Sequence, residues 1–194
     1  MAEVKVLIEG VHEEKGNKKL KASSTITLIK SDKNIIVDTG SFSDGQKIID
    51  ALAKDYLKPE DIDIVVLTHL HIDHTRNTNI FSNAVLYVKH SNSGAKWNIS
   101  DTTVEAAEFD NLQIAKDVKT ILTPGHFPFH ISVVVNTQKG VVVIAGDAIS
   151  KKDALGNIPR FQWNNEEYLR SQKKILDIAD YIIPGHGKMF KVEK

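Results

Sequence analysis

Cysteine is absent from the 194 residues. That excludes disulfides, thiolate metal sites and a cysteine nucleophile, so any metal has to be held by nitrogen and oxygen ligands. An excess of either charge is missing too. The 25 Lys and Arg residues balance 25 Asp and Glu residues, which removes a global attraction to nucleic acid or anionic membrane but leaves room for a local basic patch. No apolar run is long enough to span a bilayer, and MAEVKVLIEG enters a strand-like pattern without the basic and apolar regions of a leader. The expectation is a soluble, cytoplasmic protein whose partner is a small molecule, with neither membrane nor nucleic acid among its partners; oligomeric state is not legible. Repeats, proline-rich linkers and low-complexity tracts are also lacking, so residues 1–194 are expected to form one domain, large enough to bury a core.

What is present is an alternation of short apolar runs and helical patterns. VKVLIEG (4–10), SSTITLIK (23–30) and NIIVDTG (34–40) read as a β-meander, with a polar turn at Gly16 and Asn17. Residues 42–57 place Ile48, Ile49, Leu52, Ala53 and Tyr56 at helical spacing, and Pro59 ends the pattern. IDIVVL (62–67), VLYV (85–88), VKTIL (118–122), ISVVVNT (131–137), VVVIAG (141–146) and YIIP (181–184) read as strands, and 166–180 as a second helix. Residues 91–116 carry the least pattern and are expected to form a loop with a short helix near the site. The order suggests an α/β layered domain.

The histidines fall in a telling way. His69, His71 and His74, His126, and His186 follow apolar runs in IVVLTHLHIDH, TILTPGH and YIIPGH, as Asp147 does in VVVIAGD. Strand ends within one sheet would aim these side chains at one place, and the Gly and Pro residues before them suit sharp turns out of a sheet. In His69-Leu70-His71-Ile72-Asp73-His74, residues two apart on an extended segment face the same way. One metal can therefore take the first pair and another the second, with His126, His186 and a bridging Asp147 completing two clusters. With two divalent ions, Asp73, Asp147 and a bridging hydroxide, the site would stay roughly one unit positive. Such a centre lowers the pKa of bound water to about 7 and polarises a carbonyl or phosphoryl oxygen.

On these residues the chain resembles the metallo-β-lactamase superfamily. His69, His71, Asp73 and His74 match its H-x-H-x-D-H signature, with His126, Asp147 and His186 in order after it, and Asp38 in IIVDTG and His130 in TPGHFPFHISVVV match further family positions. The resemblance implies a four-layer αβ/βα sandwich and a dizinc-type site. His69, His71 and His126 would hold one ion, Asp73, His74 and His186 the other, and Asp147 would bridge. Departures from the pattern are Arg76, where the family commonly has glycine, and Phe127 and Phe129, where it has small residues; these three are candidate substrate-binding residues. The 194 residues leave no room for the helical domain of glyoxalase II, a β-CASP insertion or a flavodoxin domain. Diiron oxygen-reducing relatives usually carry glutamate at the position of His71 and need a flavin domain, so redox chemistry is not expected.

The expected function is dinuclear metal-dependent hydrolysis of an ester, thioester or lactone of the glyoxalase II-like or lactonase-like kind. A metal-bridging hydroxide would attack the carbonyl, with Asp73 as the catalytic residue that orients it and carries a proton. The alternatives are a phosphodiesterase or ribonuclease of the same fold, or a non-catalytic metal-binding protein. Two divalent ions, zinc first, with iron or manganese also accommodated, are the expected cofactors. Asp38 is read as orienting a ligand histidine from behind or capping a turn. His130, His12 and His90 are read as structural, and Trp97, Trp163 and Tyr168 as packing residues that could also wall a substrate. Lys151, Lys152 and Arg160 form a basic cluster, solvated or facing an anionic substrate tail.

Overall fold

The computed structural model describes all residues except Lys18, Phe161 and Lys194. The first half of the chain contains β1 (Glu3–Ile8), a hairpin of β2 (Val11–Glu14) and β3 (Leu20–Ser23), β4 (Ile26–Lys30), β5 (Asn34–Val37), α1 (Gly45–Ala53), β6 (Ile64–Leu67), α2 (Ile72–Thr75), β7 (Val85–Lys89), β8 (Gly94–Asn98) and β9 (Val104–Ala107). Its main sheet has the order β1-β4-β5-β6-β7-β8-β9, with β5, β6 and β7 parallel. The second half contains β10 (Gln113–Ala115), β11 (Val118–Leu122), β12 (Ile131–Thr137), β13 (Gly140–Gly146), α3 (Asn165–Ile178), β14 (Tyr181–Pro184) and β15 (Phe190–Lys191). These six strands form a sheet in sequence order, in which β13 and β14 are parallel.

Three apolar layers account for the stacking. Between the sheets, Ile29, Ile35, Val37, Ile64 and Val66 meet Val118, Val133, Val135, Val142, Ile144 and Ile183. Outside the first sheet, Ile48 and Leu52 of α1 pack on Ile26, Leu28, Ile36 and Val65. Ile175 of α3 packs outside the second sheet on Ile121, Val134, Val143 and Ile182. Central strands are covered on both faces, which is why IVVL is buried throughout and shows no alternation. The result is the α/β sandwich expected from the resemblance. Asn164 caps α3 by accepting from the Glu167 amide at 3.1 Å. No helix among the described residues is long and apolar enough to cross a membrane.

Three expectations need correction. Residues 91–116 hold no helix but β8, β9 and β10. β9 is an exposed edge strand held by pairing to β8 and by the Lys96–Glu105 ion pair, so apolar alternation does not mark it. The turn at Gly16 and Asn17 is the tip of an extra hairpin standing off the meander. Finally, the ligand-bearing strand ends do not share a sheet: β6 belongs to the first, and β11, β13 and β14 to the second. Their ends meet across the mouth of the sandwich instead.

Asp44 ties the loop before α1 to β3. Its buried carboxylate accepts from the Ser23 hydroxyl, from the Ser41 amide at 2.8 Å and from the Lys47 ammonium at 2.8 Å. Burial alone would raise its pKa, but the hydrogen bonds from Lys47, Ser23 and Ser41 outweigh it and hold the group below the ordinary 3.8. A depressed carboxylate pKa stabilises the fold above the unfolded value and loses that contribution as pH falls through the folded one. Asp44→Asn should therefore lower stability by about 1–3 kcal/mol at neutral pH. In thermal melts the gap to the parent protein should close as pH drops below 3.8, and a gap independent of pH would refute this account.

Candidate metal centre

The segment after β6 carries the first four candidate ligands, but it does not stay extended. His71 is the N-cap of α2, and Asp73 and His74 lie within this single helical turn. The reading of the second pair from strand geometry is thereby corrected: adjacent residues reach one place because the chain coils at Ile72. The Ser24 amide bonds to the Asp73 carbonyl at 2.9 Å and the Thr39 amide to the His74 carbonyl at 2.7 Å, which fixes the turn against neighbouring loops.

From the second sheet, His126 follows β11, Asp147 follows β13 and His186 follows β14. Two glycines make this possible. Gly146 has φ 49° and ψ −146°, a region that side-chain-bearing residues avoid, and a Cβ there would sit 2.6 Å from Thr68 Oγ1. At Gly185 a Cβ would collide with Asp147 Oδ1.

All seven predicted ligands come together. Among the described residues three groups have donor atoms within 4.8 Å of one another: His69, His71 and His126; His69, His74 and Asp147; Asp73, His74 and His186. Asp147 stands between them. Its Oδ1 lies 3.5 Å from His74 Nε2 and 3.3 Å from His186 Nε2, and its Oδ2 lies 3.4 Å from His126 Nε2. Asp73 Oδ2 is 3.7 Å from His186 Nε2 and 4.0 Å from His74 Nε2.

The outer nitrogens decide which way each ring presents a lone pair. His74 Nδ1 donates to Asp38 Oδ2 at 2.8 Å, and His186 Nδ1 donates to the Ser23 carbonyl at 2.9 Å. His126 Nδ1 donates to Gln162 Oε1 at 3.1 Å. The Thr68 hydroxyl gives its single proton to Asp38, so it accepts from His69 Nδ1, 3.1 Å away. In these four rings Nε2 is left unprotonated and faces inward when the ring is neutral. His69 Nε2, His74 Nε2 and Asp147 Oδ1 are buried without a hydrogen-bond partner among the described residues. Orphaned buried acceptors converging from two sheets, all nitrogen and oxygen, fit divalent cations.

Charge in the metal-free protein is divided unevenly. Burial first, then neighbouring histidines, pushes His69 well below the usual 6.5, and burial also lowers His71 and His126. At His74 burial opposes the proton, but Asp38 and Asp147 outweigh it and raise the pKa well above 6.5. His186 is raised in the same way by Asp147 against its own burial. Burial would raise Asp147, yet His186 and His74 hold it well below 3.8. A cation entering here replaces protons as counter-charge to a carboxylate that is already ionised.

The sequence matches the family model of the metallo-beta-lactamase superfamily over residues 21–186. The chain belongs to the metallo-beta-lactamase superfamily. Metallo-beta-lactamase domain-containing protein 1 of Xenopus laevis is 30% identical over 192 residues, 98% of this chain and 82% of that protein. An N-acyl homoserine lactonase of Bacillus cereus is 26% identical over 160 residues, 72% of this chain and 64% of that enzyme. Among solved structures, an N-acyl homoserine lactone hydrolase with N-hexanoyl-L-homoserine at its catalytic metal centre superposes with a TM-score of 0.72 at 20% identity, covering 95% of this chain and 92% of the other. As a superfamily member the chain is a metal-dependent hydrolase.

The remaining predicted site residues divide. Asp38, at φ 58°, accepts from the Thr68 amide at 2.8 Å, from the Thr68 hydroxyl and from His74, so one strained residue braces two candidate ligands. The Phe127 ring lies 5.5 Å from that of His71 and 6.1 Å from that of His69, with Phe129 6.3 Å beyond it. Arg76 lies outside the three groups, its guanidinium 4.4 Å over the exposed Phe42 ring. His130 stacks 5.0 Å from His69 and bonds Thr123, outside every group, as expected. Sequence reasoning missed Thr68, Gln162 and the Ser23 carbonyl. Thr68 carried a signal, since it opens THLHIDH, but Gln162 had none, and a backbone carbonyl leaves no trace in residue type.

Asp38→Asn would present an amide N–H to His74 Nδ1 and favour the tautomer with its proton on Nε2. Metal affinity should fall about 10- to 100-fold in competition with a chromophoric chelator, with far-UV dichroism retained. Unchanged affinity would exclude Asp38 as a brace.

Proposed function

We propose that the chain acts as one domain over residues 1–194 and hydrolyses a carboxylic ester, thioester or lactone at a centre of two divalent ions, zinc in preference. The observation that carries this reading is the placement of Asp147, with one oxygen toward His74 and His186 and the other toward His126. A carboxylate facing two donor groups in this way suits a bridge between ions. His69, His71 and His126 would hold one, and Asp73, His74 and His186 the other. When bound, such ions lower the pKa of water to about 7 and polarise a carbonyl oxygen.

The chain's own groups do the rest. Asp73 has the least buried carboxylate of the cluster, so its free oxygen can orient an attacking water, take its proton and return it to the leaving oxygen or sulfur. Phe127 and the exposed Leu70 and Ile72 make the near rim apolar, which suits an acyl chain better than the charged backbone of a nucleic acid. The named activity of the lactonase relative agrees with carbonyl chemistry.

Purified protein should hold close to two ions per chain by elemental analysis, and His71→Ala combined with His126→Ala should remove about half of them. A full complement in that variant would sink the assignment. In a parallel screen with a glutathione thioester, an acyl homoserine lactone, simple esters and an activated phosphodiester, a carbonyl substrate should give the highest kcat/KM. Turnover of the phosphodiester alone would overturn this choice, and metal loading with no turnover would favour a non-catalytic role. If Arg76 leaves Phe42 to meet substrate, Arg76→Ala should raise KM about fivefold, the worth of roughly 1 kcal/mol, with a smaller change in kcat. An unchanged KM removes Arg76 from substrate binding.

A further inference from the structure

On the His186 side, away from Phe127, the β2–β3 hairpin reaches over the candidate centre. The His12 ring lies 5.2 Å from that of His186. A cavity of about 660 Å³ opens between this hairpin, the turn after Asp147 and the loop after His186, and His186 itself forms part of its wall. The cavity therefore begins where the candidate centre ends.

Its wall is cationic in a chain with no net charge. Lys151, Lys152 and Lys188 line it, against the carboxylates of Glu13 and Asp153. Glu13 is already paired with Lys15 at 2.5 Å, and none of the three wall lysines forms an ion pair among the described residues. Two of them are held in place: the Lys151 ammonium donates to the His12 carbonyl at 2.5 Å, fastening the hairpin to the Asp147 turn, and that of Lys152 sits 5.7 Å from the centre of the Phe190 ring. All three are carried by ligand-bearing loops, Lys151 and Lys152 just after Asp147 and Lys188 just after His186.

We infer that this cavity receives an anionic group, a carboxylate or a phosphate monoester, on the leaving-group side of the substrate. The inference rests on the hydrolase reading. It follows from the position of the two walls: the aromatic rim adjoins His69 and His71, the lysine cavity adjoins His186, and Asp147 lies between. A substrate spanning both presents an apolar acyl portion to one and an anionic alcohol or thiol portion to the other. Exposed lysines contribute modestly one by one, and their combined field is screened by salt.

The test compares 4-acetoxybenzoate, 4-acetoxyphenyl phosphate and neutral methyl 4-acetoxybenzoate on metal-loaded protein. The parent should prefer an anionic ester by kcat/KM at low ionic strength. In the double variant Lys152→Gln with Lys188→Gln that preference should fall about 3- to 10-fold, whereas Lys152→Arg with Lys188→Arg should keep it. Whichever anionic ester is preferred identifies the group. A preference that survives the double Gln variant, or that is absent from the parent, overturns the inference. If no ester is turned over, the hydrolase reading fails by itself, and calorimetric titration with 4-hydroxybenzoate and 4-hydroxyphenyl phosphate still decides the cavity's role: weaker binding in the Gln variant supports it, and equal binding in both proteins overturns it.

Discussion

A carboxylate buried between two sheets stays ionised only where positive or polar partners surround it, and Asp147 is placed at such a point. Its two oxygens face histidine nitrogens on opposite sides, at 3.3 to 3.5 Å. His74 and His186 pull it well below the ordinary carboxylate range and are raised in return. Everything near the mouth of the sandwich is arranged so that this group can sit there. Gly146 turns the chain out of β13 in a conformation other residues avoid, and Gly185 leaves the space that the carboxylate fills.

Around that core runs a ring of hydrogen bonds that does not touch any reacting atom. Asp38, Thr68, Gln162 and the Ser23 carbonyl hold the outer nitrogens of four histidines. They come from both halves of the chain, Ser23, Asp38 and Thr68 from the first and Gln162 from the second, so the two halves must be docked before the inner nitrogens converge. Metal binding and sandwich assembly are thus linked, most directly through His186 and the Ser23 carbonyl, which are 163 residues apart in sequence. The mouth is also asymmetric, with aromatic rings beside His71 and lysines beside His186. Neutral overall charge conceals that polarity.

Much of the fold was legible because strands covered on both faces leave unbroken apolar runs. IVVL, ISVVVNT and GVVVIAG were found within a residue or two of their observed limits, and α3 was marked by its periodicity. Strands β8 to β10 were not, since strands at a sheet edge or next to one need little apolar face and are held by their neighbours. The coil of Ile72 to Thr75 into a helical turn was likewise hidden, because four residues are too few to show a period.

The sequence by itself limited the chemistry: donor atoms confined to nitrogen and oxygen, seven candidate residues to offer them, and the glycines that let the chain leave the strands. Only the tertiary structure decided that the donors come from two facing sheets, that Asp147 faces both groups, and that a cationic cavity adjoins one of them. The reason is physical. Residue type fixes what an atom can bind, whereas distance, burial and the direction of a lone pair arise from contacts between segments far apart in the chain.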